Sequence, residues 1–203
     1  MDKATVRTDR MRSYFIQSAK QILKGEGLRG ISVRNIADDA GYSYATLYNY
    51  FKDLNEVIFE CVKDFQQECA QYVKEQAADA ERGIEKIKTI TWSYAKFFIQ
   101  YPGIFELFFL EHIHAPQKDM ETIYSFLSRL CGDEWGFCVE QGMFLKEEAE
   151  TRMHAMNSMV TGMLVFYLNR RIPATFDSFS ALFGTQIGSI LETPETKEKQ
   201  MYT

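Results

Sequence analysis

Gly30-Ile-Ser-Val-Arg-Asn-Ile-Ala-Asp-Asp-Ala-Gly-Tyr-Ser-Tyr-Ala-Thr-Leu-Tyr-Asn-Tyr-Phe-Lys52 is the stretch on which the reading of this chain turns. The Ser32 hydroxyl can cap a short helix that carries Val33, Ile36, Ala37 and Ala40 on its inner side. Gly41 stops that helix, because glycine takes the left-handed backbone of a tight turn without steric cost. Ser43 can then cap a second short helix running through Leu47 to Tyr50. Two short helices joined by a tight turn form a helix-turn-helix, in which the first braces across a DNA backbone and the second offers side chains to the major groove.

Upstream, Met11, Tyr14, Phe15, Ser18, Ala19, Ile22 and Leu23 recur every three or four residues, so residues 9 to 24 read as an amphipathic helix ended by Gly25 and Gly27. Downstream, Asp53 and Glu56 have capping-box spacing and open a longer helix with Val57, Ile58, Cys61, Val62, Phe65 and Cys69 inward. A further helix runs from Gly83 to Gln100, where Pro102 breaks it, and a short aromatic helix spans Gly103 to His112. Segments at about 118 to 142, 147 to 170 and 176 to 191 are also helical in period, with Pro116 and Pro173 between them. No strand alternation, repeat or low-complexity tract interrupts this pattern, and the fold class is all-α with about nine helices. The expected division is a helix-turn-helix domain at 1–53, a second helical domain at 54–192 and a polar tail at 193–203.

The motif residues Ile36-Ala37, Ala40-Gly41, Ser43, Thr46-Leu47-Tyr48 and Phe51-Lys52, followed by an acidic helix start, resemble the DNA-binding signature of the tetracycline-repressor (TetR) family over residues 9 to 60. The resemblance implies that Ser32, Ser43, Thr46, Tyr48 and Lys52 touch phosphates and that Tyr44, Ala45 and Asn49 lie nearest the base edges. Tyr50 can join either set, Arg34 belongs to the same DNA-binding group, and Leu47 and Phe51 face the core. The chemistry is compatible, since hydroxyls and a lysine suit phosphate oxygens and an asparagine can pair bidentately with adenine. Capping alone explains Ser32 and Ser43 equally well. Tyr42 departs from the family, which commonly has a small aliphatic residue there, and Tyr44 stands where a basic residue is frequent.

Composition fits such a protein. Of 203 residues 46% are hydrophobic and 14% aromatic, enough for a large core, and the net charge is −5. The charge is uneven: through Lys52 nine Lys or Arg stand against five Asp or Glu, a basic quarter on an acidic remainder. The first eleven residues carry no apolar run and no stretch reaches the length of a membrane span, so a cytoplasmic protein is expected. Four cysteines without paired spacing read as free thiols, and His112, His114, Cys131 and Cys138 lack the close pairs of a zinc site. No metal and no cofactor are expected. The absence of a nucleophile elbow, P-loop or dinucleotide fingerprint argues against an enzyme.

The family's second domain is a helical bundle that binds a small effector and dimerises through its last two helices. Trp92, Phe97, Tyr101, Phe105, Phe109, His112, Trp135, Met159, Met163 and Phe166 are the candidates for an apolar or aromatic effector, although most members of such a set simply pack the core. Ala155, Ser158 and Gly162, with Ser180, Gly184 and Gly188, give the last two helices small-residue strips suited to a homodimer interface. The function these features imply is a repressor of operator DNA, an inverted repeat, released by its effector. The alternative is a helical ligand-binding or protein-interaction module without sequence-specific DNA binding.

Overall fold

The computed structural model describes residues 3–110 and 117–192, without the side chains of residues 3, 4 and 117–120. It contains ten α-helices and a single 3₁₀ turn, and no strand among the described residues. In order these are α1 (Lys3–Glu26), the turn Gly27–Gly30, α2 (Val33–Asp39), α3 (Tyr44–Tyr48), α4 (Leu54–Gln76), α5 (Ile84–Gln100), α6 (Pro102–Phe109), α7 (Gln117–Tyr124), α8 (Phe126–Glu140), α9 (Lys146–Leu168) and α10 (Phe176–Leu191). The expected all-α class holds. Two elements differ from expectation: α1 starts at Lys3, well before residue 9, and the segment 118 to 142 is two helices that break at Ser125. Ser125 is the N-cap position of α8, and its carbonyl accepts the Arg129 N–H at 2.9 Å, so the chain restarts a helix there. His112 and the tail 193–203 lie outside the described residues.

The chain forms two compact units, one from Met1–Glu68 and Gln100–Ile123, the other from Cys69–Ile99 and Tyr124–Thr203. In the first, Phe15, Ala19 and Leu23 of α1 are fully buried, as are Ile36, Leu47 and the α4 residues Val57, Cys61 and Phe65. α6 belongs to this unit because of a close approach: a Cβ on Gly103 would stand 2.7 Å from the Leu23 carbonyl oxygen and 3.2 Å from the Gly27 Cα. Only glycine lets α6 lie there. Charged pairs flank the same seam, with Lys20 bonded to Asp64 at 3.0 Å and Glu68 at 2.6 Å and Lys24 to Glu68 at 2.7 Å.

The second unit is built on aromatic packing. Phe179 and Phe183 of α10 stack at 5.1 Å, Trp92 meets Phe183 edge-on at 4.7 Å, and Tyr94 meets Phe98 at 4.9 Å. Glu134, buried on α8, accepts the Gly83 N–H at 2.8 Å and faces the Arg82 guanidinium at 3.3 Å, which ties the α4–α5 connection to α8. The four cysteines are free and buried, and burial pushes the Cys61 and Cys131 thiols up to about 12. Among the described residues no helix is long and apolar enough to cross a membrane.

Candidate nucleic-acid interface

Local chemistry fixes the two short helices as the spacing predicts. Ser32 accepts the Asn35 N–H at 3.0 Å to cap α2, and the Asn35 side chain donates to the Gly30 carbonyl at 2.8 Å. At its end Gly41 takes φ +76°, and the Gly41 and Tyr42 N–H groups donate to the Asp38 and Ala37 carbonyls at 3.1 and 2.9 Å. This is a Schellman closure, which only a residue at ease with positive φ permits without strain. Ser43 then caps α3 by accepting the Thr46 N–H at 3.2 Å, while its hydroxyl also meets that of Thr46 at 2.9 Å.

Leu47 is fully buried and Phe51 nearly so, whereas Tyr44, Ala45, Tyr48 and Asn49 are exposed. Ala45, Tyr48 and Asn49 point away from the buried Leu47, while Tyr44, three residues before it in the first turn, is 56% exposed. Phe15 of α1 is the hub beneath, with Tyr42, Tyr50 and Phe51 rings at 5.5, 6.1 and 6.3 Å. Arg12 lies over the Phe51 ring at 4.1 Å, donates to the Tyr50 carbonyl and pairs with Glu56 at 3.0 Å. Glu56 in turn accepts the Lys52 backbone N–H at 2.8 Å, and its own N–H donates to Asp53 at 2.9 Å. Lys52 and Arg34 are exposed, Ser32, Thr46 and Tyr50 are half-buried, and Tyr50 is engaged with Phe15. The predicted DNA-binding residues are thus gathered on and around α3. The Arg12–Glu56 clamp escaped the sequence reading because its partners stand 44 residues apart and no local spacing signals them.

The clamp makes stability depend on pH. The Lys52 N–H and the Arg12 guanidinium hold the Glu56 carboxyl below its ordinary value against the opposing effect of burial. Burial also works against the charges of Glu68 and Lys20, but their mutual bonds outweigh it, so Glu68 is lowered and Lys20 raised. Carboxyls lowered by folding stabilise the native state above their unfolded pKa, and that stability is lost as pH falls through the folded values. A raised lysine contributes below its unfolded pKa, and its share is lost as pH rises through the folded value. Urea midpoints should therefore be level between about pH 5 and 8 and fall on either side. Glu56→Gln should shrink the acid limb, and an acid limb of unchanged size would remove Glu56 from this account.

Within the second unit the effector candidates Trp92 and Trp135 do not share a pocket. Trp92 lines a hollow of about 390 Å³ with Lys88, Ser93, Lys96, Phe176 and Ser180. Trp135 lines a separate, largely apolar groove of about 420 Å³ with Gly136, Val139, Ala149 and Met153. Phe97 is buried against Tyr72 at 6.1 Å, Phe105 packs on Phe109 at 4.9 Å, and half-buried Tyr101 lies under Lys24 at 5.3 Å. Met159 and Met163 are half-buried and Phe166 is 53% exposed, on the same stripe of α9 as Ala155, Ser158 and Gly162. Helical spacing places an aromatic on an inward face, but that face is core as readily as cavity wall. Ala155, Ser158 and Gly184 are exposed and Gly162, Ser180 and Gly188 half-buried, and a Cβ added at any of these three glycines would meet nothing within 4 Å.

Residues 15–61 match the family model described as bacterial regulatory proteins, tetR family. No curated protein matches the chain. Among solved structures, FadR from Bacillus subtilis in complex with stearoyl-CoA is 13% identical, with a TM-score of 0.70 over 89% of this chain and 97% of that one. RolR in complex with resorcinol is 15% identical, with a TM-score of 0.67 over 91% and 87% of the two chains. A TetR family transcription regulator from Marinobacter aquaeolei is 17% identical, with a TM-score of 0.60 over 91% and 97%. At these identities the likeness is one of fold.

Proposed function

We propose that this chain, whose residues 15–61 match the family model of tetR-family bacterial regulatory proteins and whose fold is shared with solved regulators, is a dimeric transcriptional repressor released from operator DNA by a small apolar or aromatic effector. The observation that carries the reading is the outward face of α3, where Tyr44, Ala45, Tyr48 and Asn49 stand exposed beside Lys52 and Arg34. Tyr44, Ala45 and Asn49 read base edges, and Ser32, Ser43, Thr46, Tyr48 and Lys52 hold phosphates. Residues 1–53 are the DNA-binding part and residues 54–192 the regulatory part of this cytoplasmic regulator, which works by binding and not as an enzyme.

Dimerisation follows from the strips on α9 and α10. No side chain of the same subunit needs the room left at Gly162, Gly184 or Gly188, and Phe166, Phe176 and Leu182 stand 53, 46 and 42% exposed on these helices. A second copy packed there would cover apolar surface and use the close approach that the glycines allow. An effector acts only if it prefers a conformation in which the two recognition helices no longer fit one DNA face. That two structural relatives hold stearoyl-CoA and resorcinol supports an effector with a large apolar or aromatic part.

Two substitutions test the interface. Asn49→Ala should cost about 1 to 3 kcal/mol on the preferred duplex and relax preference at particular base pairs. Lys52→Ala should weaken all duplexes alike and flatten the salt dependence. Equal losses from Asn49→Ala on specific and random DNA would make Asn49 a backbone contact. Unaltered binding by both variants would favour a helical module that does not bind DNA through α3.

A further inference from the structure

We propose that the amino-terminal part of α1 carries a second DNA-contacting surface, in which Arg7 and Arg10 grip backbone phosphates flanking the bases that α3 reads. The inference rests on the repressor reading and deepens it. Arg7, Arg10 and Tyr14 are all exposed and follow one another at intervals of three and four residues, so they form one stripe along α1. Tyr14 joins this stripe to the recognition element, because its ring stacks on that of Tyr42 at 6.4 Å with the planes 20° apart. Tyr42 directly precedes Ser43, the cap of α3, and is itself 37% exposed. The Tyr14 hydroxyl accepts the Arg10 Nε–H at 3.1 Å, which holds that guanidinium beside the stack.

Among the described side chains of α1, the other cations are committed elsewhere. Arg12 is paired with Glu56, Lys20 with Asp64 and Glu68, and Lys24 with Glu68. Among the described residues neither Arg7 nor Arg10 has a carboxylate within ion-pair distance, and Asp9 falls on the opposite side of the helix, lining a small hollow with Arg12 and Asp64. Two exposed guanidiniums without carboxylate partners, continuous with a DNA-reading helix, are complementary to phosphate, which arginine binds bidentately. A helix rise of about 1.5 Å per residue sets Arg10 and Arg7 roughly 6 and 10 Å beyond Tyr14, so their partners lie outside the base pairs under α3.

The test uses the full chain and the duplex it enriches from a random-sequence pool. With Arg7→Gln and Arg10→Gln combined, the preferred sequence should be unchanged. The slope of log affinity against log salt should become shallower by about 3 to 4, from two lost phosphate contacts in each half of a dimer. Trimming the duplex outside the half-sites should produce the same flattening with the wild-type chain and no further change with the variant. Arg7→Lys with Arg10→Lys should restore most of the slope. An unchanged slope in the Gln variant, or an equal loss on trimmed and full-length duplex, would overturn the flanking contact while leaving α3 readout intact. A wild-type chain that enriches no sequence would overturn the repressor reading and this inference together.

Discussion

Phe15→Ala is expected to destabilise the first unit by about 3 to 5 kcal/mol and to abolish specific DNA binding. Phe15 is fully buried and is the one ring that Tyr42, Tyr50 and Phe51 all meet among the described residues. Its removal leaves a cavity under both ends of α3, between the turn that precedes the helix and the junction that follows it. A helix of five residues has no independent stability, so the outward set of its side chains depends on the packing beneath. Urea unfolding and binding to the enriched duplex check this together. A loss below about 1 kcal/mol would mean the site collapses around the gap and that Phe15 is not the hub. Phe15→Leu, which keeps most of the volume, should fall between the two.

Gly184→Arg is expected to block the proposed pairing of two copies and to lower affinity for the preferred duplex at least about 10³-fold, because a lone half-site contact approaches non-specific binding. The substitution suits the question because open space surrounds a Cβ at Gly184, so the single subunit accommodates it. Only a second copy would be obstructed, and two copies would bring like charges face to face across the symmetry axis. Sedimentation gives the oligomeric state and a duplex titration the affinity. A variant that stays dimeric would move the interface away from the α10 strip. Stability is expected to become independent of protein concentration in the monomer, as mass action requires.

How much of this was legible in the sequence follows from the range of the interactions. Caps, turns and helix ends are fixed by residues within a few positions of one another, so Ser32, Gly41, Ser43 and the Asp53–Glu56 pair could be read directly and recur in the structure as hydrogen bonds. The inward position of Leu47 and Phe51 was implied by the family resemblance, and both are buried in the structure. The break at Ser125 was not legible, because apolar residues continue at helical spacing across it and nothing local forbids helix there. The start of α1 at Lys3 was missed because residues 3 to 8 have no apolar periodicity, although the spacing of Arg7, Arg10 and Tyr14 was present to be read. The effector set was the weakest part of the sequence reading: whether Trp92, Phe97 or Phe105 meets a ligand or a neighbouring ring depends on long-range packing. The structure gives Phe97 and Phe105 to ring contacts and Trp92 and Trp135 to two separate hollows.

The central claim is that α3 and its symmetry mate read DNA. Footprinting of the full chain on the duplex enriched from a random pool tests it most directly, with the stoichiometry of the complex measured alongside. The account predicts an inverted repeat with half-sites on one face of the duplex, spaced by about one helical turn or a small multiple and occupied by pairs of chains. It also predicts protection at those half-sites that weakens with Asn49→Ala. Enrichment of no sequence, or tight specific binding by a single chain to a site without two-fold symmetry, would contradict it.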